Sequence, residues 1–345
     1  MIVLSALVLV HEWGHFFAAR IFGVHVEEFG LGFPPRARGW KRNGMTYSLN
    51  WLPLGGFVKI KGEQGESERD TDSFAAKPIW QRIIILASGV GMNCVAAVVL
   101  LTIGFSVGMP TAIDGPEDEA AGMSQEIQIV SVLPSSPAQQ AGILPGDIIV
   151  SLDARQFGRV SEVQEYIQAH NGQEIAVMVK RGSQEVLKKI TPVILEGGTP
   201  VLGVGLTKTA VIAYPLHRAF VLAVRSTIAI AVSIVTLLGT AVSRLAFDGF
   251  VGPVGIATYT ATTAELGFGY LMNLMAQLSV SLAIINILPI PALDGGRVLF
   301  LLVEKVRGKS LRPALEQAIH VAGFMALIVL LVAVTIRDVA HLIAF

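Results

Sequence analysis

The sequence holds a single cysteine in 345 residues, few aromatics, few charges and no evident internal repeat. The lone thiol, Cys94, lies in an apolar run, which excludes an intrachain disulfide and a thiolate metal cluster. It reads as a small buried hydrophobe. Charged residues make up 15% of the chain, against about 25% in soluble domains. Hydrophobic residues reach 52% and mean hydropathy is +0.62, so several segments should be buried in lipid. Lys plus Arg equals Asp plus Glu at 26 each, which removes any global attraction to nucleic acid. The apolar N-terminal stretch from Ile2 to Val10 lacks a basic n-region and argues against a cleaved signal peptide.

The apolar runs predict a polytopic α-helical membrane protein of about four transmembrane helices, each at least as long as the roughly 20 residues a crossing requires. These are 1–22, 80–113, 266–305 and 319–345. The first is interrupted by His11, Glu12, His15 and Arg20, whereas Ile83 to Ile113 and Leu266 to Leu293 carry no charge. Basic residues cluster after the first span (Arg36, Arg38, Lys41, Arg42, Lys59, Lys61) and after the third (Lys305, Arg307, Lys309, Arg312). Both loops therefore read as cytoplasmic, and the chain must cross an even number of times between them. The second and third spans supply two crossings. The remaining apolar run, Ser226 to Ser243 within 213–262, then reads as an interfacial or re-entrant helical region, or as one crossing paired with another near 249–259.

Between the first two spans, 23–79 reads as a membrane-associated β-hairpin region ending in a polar linker, Glu63 to Asp72. Asn43-Gly44 is a strong two-residue turn signal, and Met45 to Trp51 is the clearest strand. At 125–208 the composition turns soluble. Strand patterns at Ile127–Leu133, Ile148–Leu152, Glu174–Lys180 and Glu185–Thr191 alternate with helical ones at Ser136–Gly142 and Ser161–His170, which predicts an inserted α+β module.

His11-Glu12-Trp13-Gly14-His15 is HExxH. Helical residues four apart share a face, so both imidazoles can reach one ion while Glu12 stands beside it as a candidate general base. Two histidines and a glutamate inside an apolar span are costly unless paired or metal-bound. A catalytic Zn2+ site needs a third protein ligand at similar depth. Asp294 ends an uncharged run where Pro289 and Pro291 break the helix, and is the best candidate. His25, Glu27, Glu28 and His320 are weaker alternatives.

HEWGH in the first span, Asn286-Ile-Leu-Pro-Ile-Pro-Ala-Leu-Asp-Gly-Gly296 late in the chain, Tyr47 to Lys59 after the hairpin and Gly252-Pro253-Val254 together resemble the bacterial site-2 proteases of the regulator-of-sigma-E type. The resemblance covers nearly the whole chain. It implies an intramembrane zinc metalloprotease with His11, His15 and Asp294 as ligands and Glu12 as the catalytic acid residue. The implied substrates are membrane-anchored proteins cut within their transmembrane segments, often anti-sigma factors already trimmed by another protease. Substrate would be received as an added strand near Tyr47, Gly55 and Gly56, and Asn286 could donate a hydrogen bond to it. The implied setting is the bacterial inner membrane, with the lipid bilayer as the other partner. Three positions depart from the family pattern: Ser281 in place of a usual Asn, Val90 where Pro is usual (with Asn93 retained), and Trp13 for a smaller residue.

The module at 125–208 resembles a bacterial PDZ domain, placed on the extracytoplasmic side, with Leu202, Gly203 and Val204 as its carboxylate-binding loop or, the groove being unused, with the module as a size-exclusion lid. Two other classes compete with the protease reading. A catalytically silent scaffold bearing a PDZ domain should show a broken metal set, and the set here is intact. A cation transporter should show paired repeats, and none stands out.

Overall fold

The computed structural model describes residues 2–63, 70–112, 125–133, 136–182, 184–194, 198–244, 251–309 and 312–343. Most of the polar linker expected at Glu63 to Asp72 falls outside them. The chain forms two compact units. The first comprises 1–102, 220–259 and 273–345, and the second 103–219 and 260–272.

In the first unit, helix α1 (Ile2–Ile21) ends at Gly23, whose φ of 65° no longer propagates a helix. Strands β1 (Val26–Arg42) and β2 (Met45–Ile60) follow, joined by Asn43-Gly44 with φ of 51° and 78°. Both turn residues are left-handed, the geometry whose twist suits a two-residue hairpin. The pairing is antiparallel but doubled: Phe29 lies opposite both Val58 and Tyr47, and Leu31 opposite both Gly56 and Leu49. The long hairpin thus folds back on itself. It exposes Phe33, Leu49, Trp51 and Leu52 beside Arg36 and Arg38, an apolar and basic surface suited to a membrane interface. Its other side packs Val24, Val26, Met45 and Ile60 with Ala18 and Ala19 of α1, Ile85 and Leu86 of α2 (Ile79–Val107) and Leu301.

In the second unit, β3 (Met109–Ala112), β4 (Gln125–Val132), β5 (Ile148–Leu152), β6 (Ile175–Arg181), β7 (Gln184–Ile190) and β10 (Val204–Ile212) form one sheet in the order β3-β10-β4-β5-β6-β7. Helices α3 (Pro137–Gln140) and α4 (Val160–Ala169) accompany it. The short strands β8 (Val193–Ile194) and β9 (Pro200–Val201) pair separately. Ile129, Leu152, Val163, Ile175, Val177 and Val179 fill the core. Each such side chain contributes roughly 1.5–3 kcal/mol when fully buried.

Among the described residues, five helices are long and apolar enough to cross a membrane, the four expected and the ambiguous additional run: α1, α2, α5 (Leu216–Arg244), α7 (Phe268–Ile287) and α9 (Pro313–Ile343). The additional run is expected from Ser226, with Arg218 and Arg225 on its leading side favouring an interfacial helix. The helix instead begins at Leu216, and arginines near a helix end can lay their stems along apolar surface. Helix α6 (Pro253–Leu266), with 14 residues, is too short to span. Three expected limits also shift. The second span stops at Val107, because Gly108 at φ 103° ends the helix and Met109–Ala112 joins the sheet. An uncharged run cannot by itself separate those two states. The expected span 266–305 is two helices, α7 and α8 (Asp294–Arg307), with 288–293 between them. The stretch expected from 319 begins at Pro313, the residue type favoured at a helix start.

Gly252-Pro253-Val254, singled out in the sequence, acquires a structural reason. The Asp338 carboxylate of α9 accepts the Gly255 N–H at 2.9 Å, capping α6 from another helix. A Cβ at Gly252 would lie 2.7 Å from Asp338 Oδ2, so only glycine permits that approach.

Candidate metal centre

His11 and His15 lie one turn apart on α1, and Asp294 opens α8. The helix that bears Asp294 can start where it does because Gly295 and Gly296 lack side chains. A Cβ on Gly295 would meet the Ile287 and Leu288 carbonyl oxygens at 2.2 Å, and one on Gly296 the Ile290 carbonyl oxygen at 2.3 Å. The double glycine therefore lets α8 press against the end of α7.

The three side chains converge. His11 Nε2 lies 3.0 Å from Asp294 Oδ2, His15 Nε2 3.3 Å from the same oxygen, and the two Nε2 atoms 3.1 Å from each other. Tetrahedral ligands placed 2.0–2.1 Å from a zinc ion stand about 3.3 Å apart, so the donor set fits a single zinc. Both histidines are buried, at 6% and 7% exposure, which leaves their nitrogens no solvent to satisfy them. Among the described residues this is the one group of three with metal-binding geometry.

Outer partners orient the rings. His15 Nδ1–H donates to the Ile85 carbonyl at 2.9 Å, which frees the Nε2 lone pair for a ligand role. Beside His11 Nδ1, at 3.3 Å, stands the Asn93 amide, fully buried, with its Oδ1 unpartnered. Exchanging the amide's two ends lets Oδ1 accept from His11 Nδ1–H and gives both histidines the same tautomer. Gly89 backs the pair. A Cβ there would lie 2.4 Å from His15 Nε2 and 2.7 Å from His11 Cε1. Gly14 allows the helices to cross, since its Cβ would meet the Ser88 carbonyl oxygen at 2.4 Å.

Glu12 turns toward the hairpin, where its Oε2 accepts the Val58 N–H at 3.0 Å. Gly55 N–H donates to Ser5 Oγ at 3.1 Å, and a Cβ on Gly55 would press Val8 at 3.0 Å. A Cβ on Gly56 would meet the Gly30 carbonyl oxygen at 2.8 Å and Leu9 at 3.2 Å. Those two glycines let β2 run beside the HEWGH helix. Tyr47 stacks on Trp40 within the hairpin, and Asn286 sits half-buried near the end of α7. In the other unit, Leu202 is buried, Gly203 has φ of 80° and Val204 pairs with Val132.

The four alternative ligands lie elsewhere. Glu27 pairs with Lys59, Glu28 with Arg36, and the His25 N–H donates to the Asp72 carbonyl. His320 Nδ1 accepts the Ala292 N–H. A cavity of about 310 Å3 beside Ala292 is lined by Glu63, Arg297, Glu316 and His320, with Arg297 paired to Glu63. Sequence reasoning missed the orienting groups of Ile85, Val58 and Gly89. It noticed Asn93 without a role, although a lone asparagine in an uncharged span was the available signal.

The model of Peptidase family M50 matches residues 1–330. A Clostridium perfringens protein whose name places it among the zinc metalloproteases is 33% identical, over 98% of this chain and 97% of its own. The zinc metalloprotease RasP of Bacillus licheniformis is 27% identical over 99% and 98%. An Arabidopsis thaliana chloroplast protein named as a membrane metalloprotease is 30% identical over 99% and 79%. Among solved structures, the PDZ domain of an SdrC-like protein from Listeria monocytogenes is 27% identical, over 23% of this chain and 85% of its own, at a TM-score of 0.22. A family match along nearly the whole chain, several helices able to span a membrane and a convergent His-His-Asp set lead to one conclusion: the chain belongs to Peptidase family M50, the site-2 proteases, and is a multi-pass membrane zinc metalloprotease.

Proposed function

We propose that the protein hydrolyses peptide bonds inside transmembrane segments of membrane-anchored proteins, with His11, His15 and Asp294 holding zinc and Glu12 as general base. The observation that carries this reading is the convergence of two buried histidines on a helix long and apolar enough for a membrane with the partly buried Asp294 at the start of α8, their ligand atoms 3.0–3.3 Å apart. Bound zinc supplies Lewis acidity toward water and the scissile carbonyl. Glu12 takes a proton from water and later returns it to the leaving amine. The Val58 amide holds one carboxylate oxygen and so leaves the other to receive that proton. Asn286 donates to the substrate carbonyl.

Substrate segments unwind and lie along β2 around Tyr47, Gly55 and Gly56, because helical amides are hidden and an added strand exposes the bond. The best substrates are remnants already shortened by another protease, of the anti-sigma-factor or signal-peptide kind. Water reaches the site from the hairpin side, where the polar cavity around Arg297 adjoins the Asp294 turn. The protein resides in a bacterial cytoplasmic membrane with the inserted module outside, and the Leu202, Gly203 and Val204 loop there captures a C-terminal carboxylate.

The test is Glu12→Gln in proteoliposomes with a single-span reporter. Cleavage should fall at least about 100-fold, the low end of general-base contributions, while uncleaved reporter still co-purifies. Turnover near wild type in that variant removes Glu12 from the chemistry and sinks the mechanism.

A further inference from the structure

The turn that presents Asp294 is held from a neighbouring helix. Between α7 and α8, Ala292 adopts φ of 78°, in the left-handed region a non-glycine residue rarely enters. Its N–H donates to His320 Nδ1 of α9 at 2.9 Å. One turn further along α9, Gly323 brings the helix against the same turn, for a Cβ there would lie 2.5 Å from Pro291 Cβ and 2.7 Å from its carbonyl oxygen. Phe300 of α8 meets the His320 ring edge-on, with centroids 5.2 Å apart and planes at 81°. Two contacts from α9 thus hold Pro291 and Ala292, just before the carboxylate, and Phe300 of α8 braces the histidine that makes one of them.

We infer that His320 is a positioning residue for Asp294: its Nδ1 lone pair fixes the Ala292 amide and thereby the direction from which the carboxylate meets His11 and His15. This rests on the reading that those three residues hold zinc. His320 is not a fourth ligand, because its Nδ1 is engaged by a backbone amide and it is absent from the convergent group. An accepting Nδ1 also sets the ring in the tautomer that carries its proton on Nε2.

The experiment is chelator competition for zinc on the purified full chain, in wild type, His320→Asn, His320→Gln and His320→Leu. Asparagine places a carbonyl acceptor near the former Nδ1, while glutamine carries its acceptor one bond farther out. Asn should stay close to wild type, and Gln and Leu should weaken zinc affinity by about 10–100-fold, as loss of an outer partner does. X-ray absorption should count two imidazole ligands in every variant that loads zinc. Equal affinity in all four proteins, or equal loss in Asn and Leu, overturns the inference, as does the disappearance of one imidazole in Asn. Failure of the wild type to bind zinc strikes the metal reading itself and is seen before any variant is compared.

Discussion

Gly89 lacks a side chain at the spot two imidazoles occupy, and this makes it as decisive for the site as the ligands. Gly89→Ala adds one methyl 2.4 Å from His15 Nε2, so the rings must move. Alanine favours a helix over glycine by about 1 kcal/mol, so α2 itself is not weakened. Elemental analysis should find about one zinc per wild-type chain and little in Gly89→Ala or Asp294→Ala, with helical circular dichroism unchanged. Full retention in Asp294→Ala points to another third ligand. At this scale HEWGH was legible because spacing on a single helix is a local property. Gly89 was not, since no local rule says which turn of α2 will cross Gly14.

Among elements, the turn at Pro145-Gly146-Asp147 depends on one buried carboxylate. Asp147 is fully buried, and the Arg181 guanidinium meets it twice, at 2.7 and 2.8 Å. The same carboxylate accepts the Leu144 N–H at 2.9 Å. Arg181 also donates to the Gly142 carbonyl, and the Asp147 carboxylate beside it raises its affinity for its proton. Asp147→Asn leaves the partly exposed guanidinium facing a neutral amide and weakens the bonds that the buried carboxylate made, and should cost the module about 2 kcal/mol. Amide hydrogen exchange of the module's strands in the full chain checks this, and a loss under about 1 kcal/mol would mean the pair is dispensable. The hairpin and the module's strands were readable from alternation and from Asn43-Gly44, since both signals act over a few residues. The strand Met109–Ala112 was hidden because its partner, Thr209 to Ile212, lies about a hundred residues on. The start of α5 was not legible either, because the helix runs on through Arg218 and Arg225, N-terminal to its uncharged stretch.

For the whole molecule, the expected topology puts the hairpin and the basic stretch around Lys305 and Lys309 on the cytoplasmic side, with α2 and α7 as the two crossings between them. Cysteines introduced at Asn43, Glu185 and Lys309, in a Cys94→Ser background, should label from inside, outside and inside. A further cysteine at Val251, between α5 and α6, should label from outside if α5 does not traverse the bilayer. Labelling of Glu185 from the cytoplasm inverts the arrangement.

His11 and Asp294 stand 283 positions apart, yet their side chains meet at 3.0 Å. At roughly 5–20 residues per second, about 15 to 60 s of synthesis separate them. Through that interval the nascent chain carries both imidazoles without Asp294, so the proposed three-ligand set is incomplete until the start of α8 has left the ribosome.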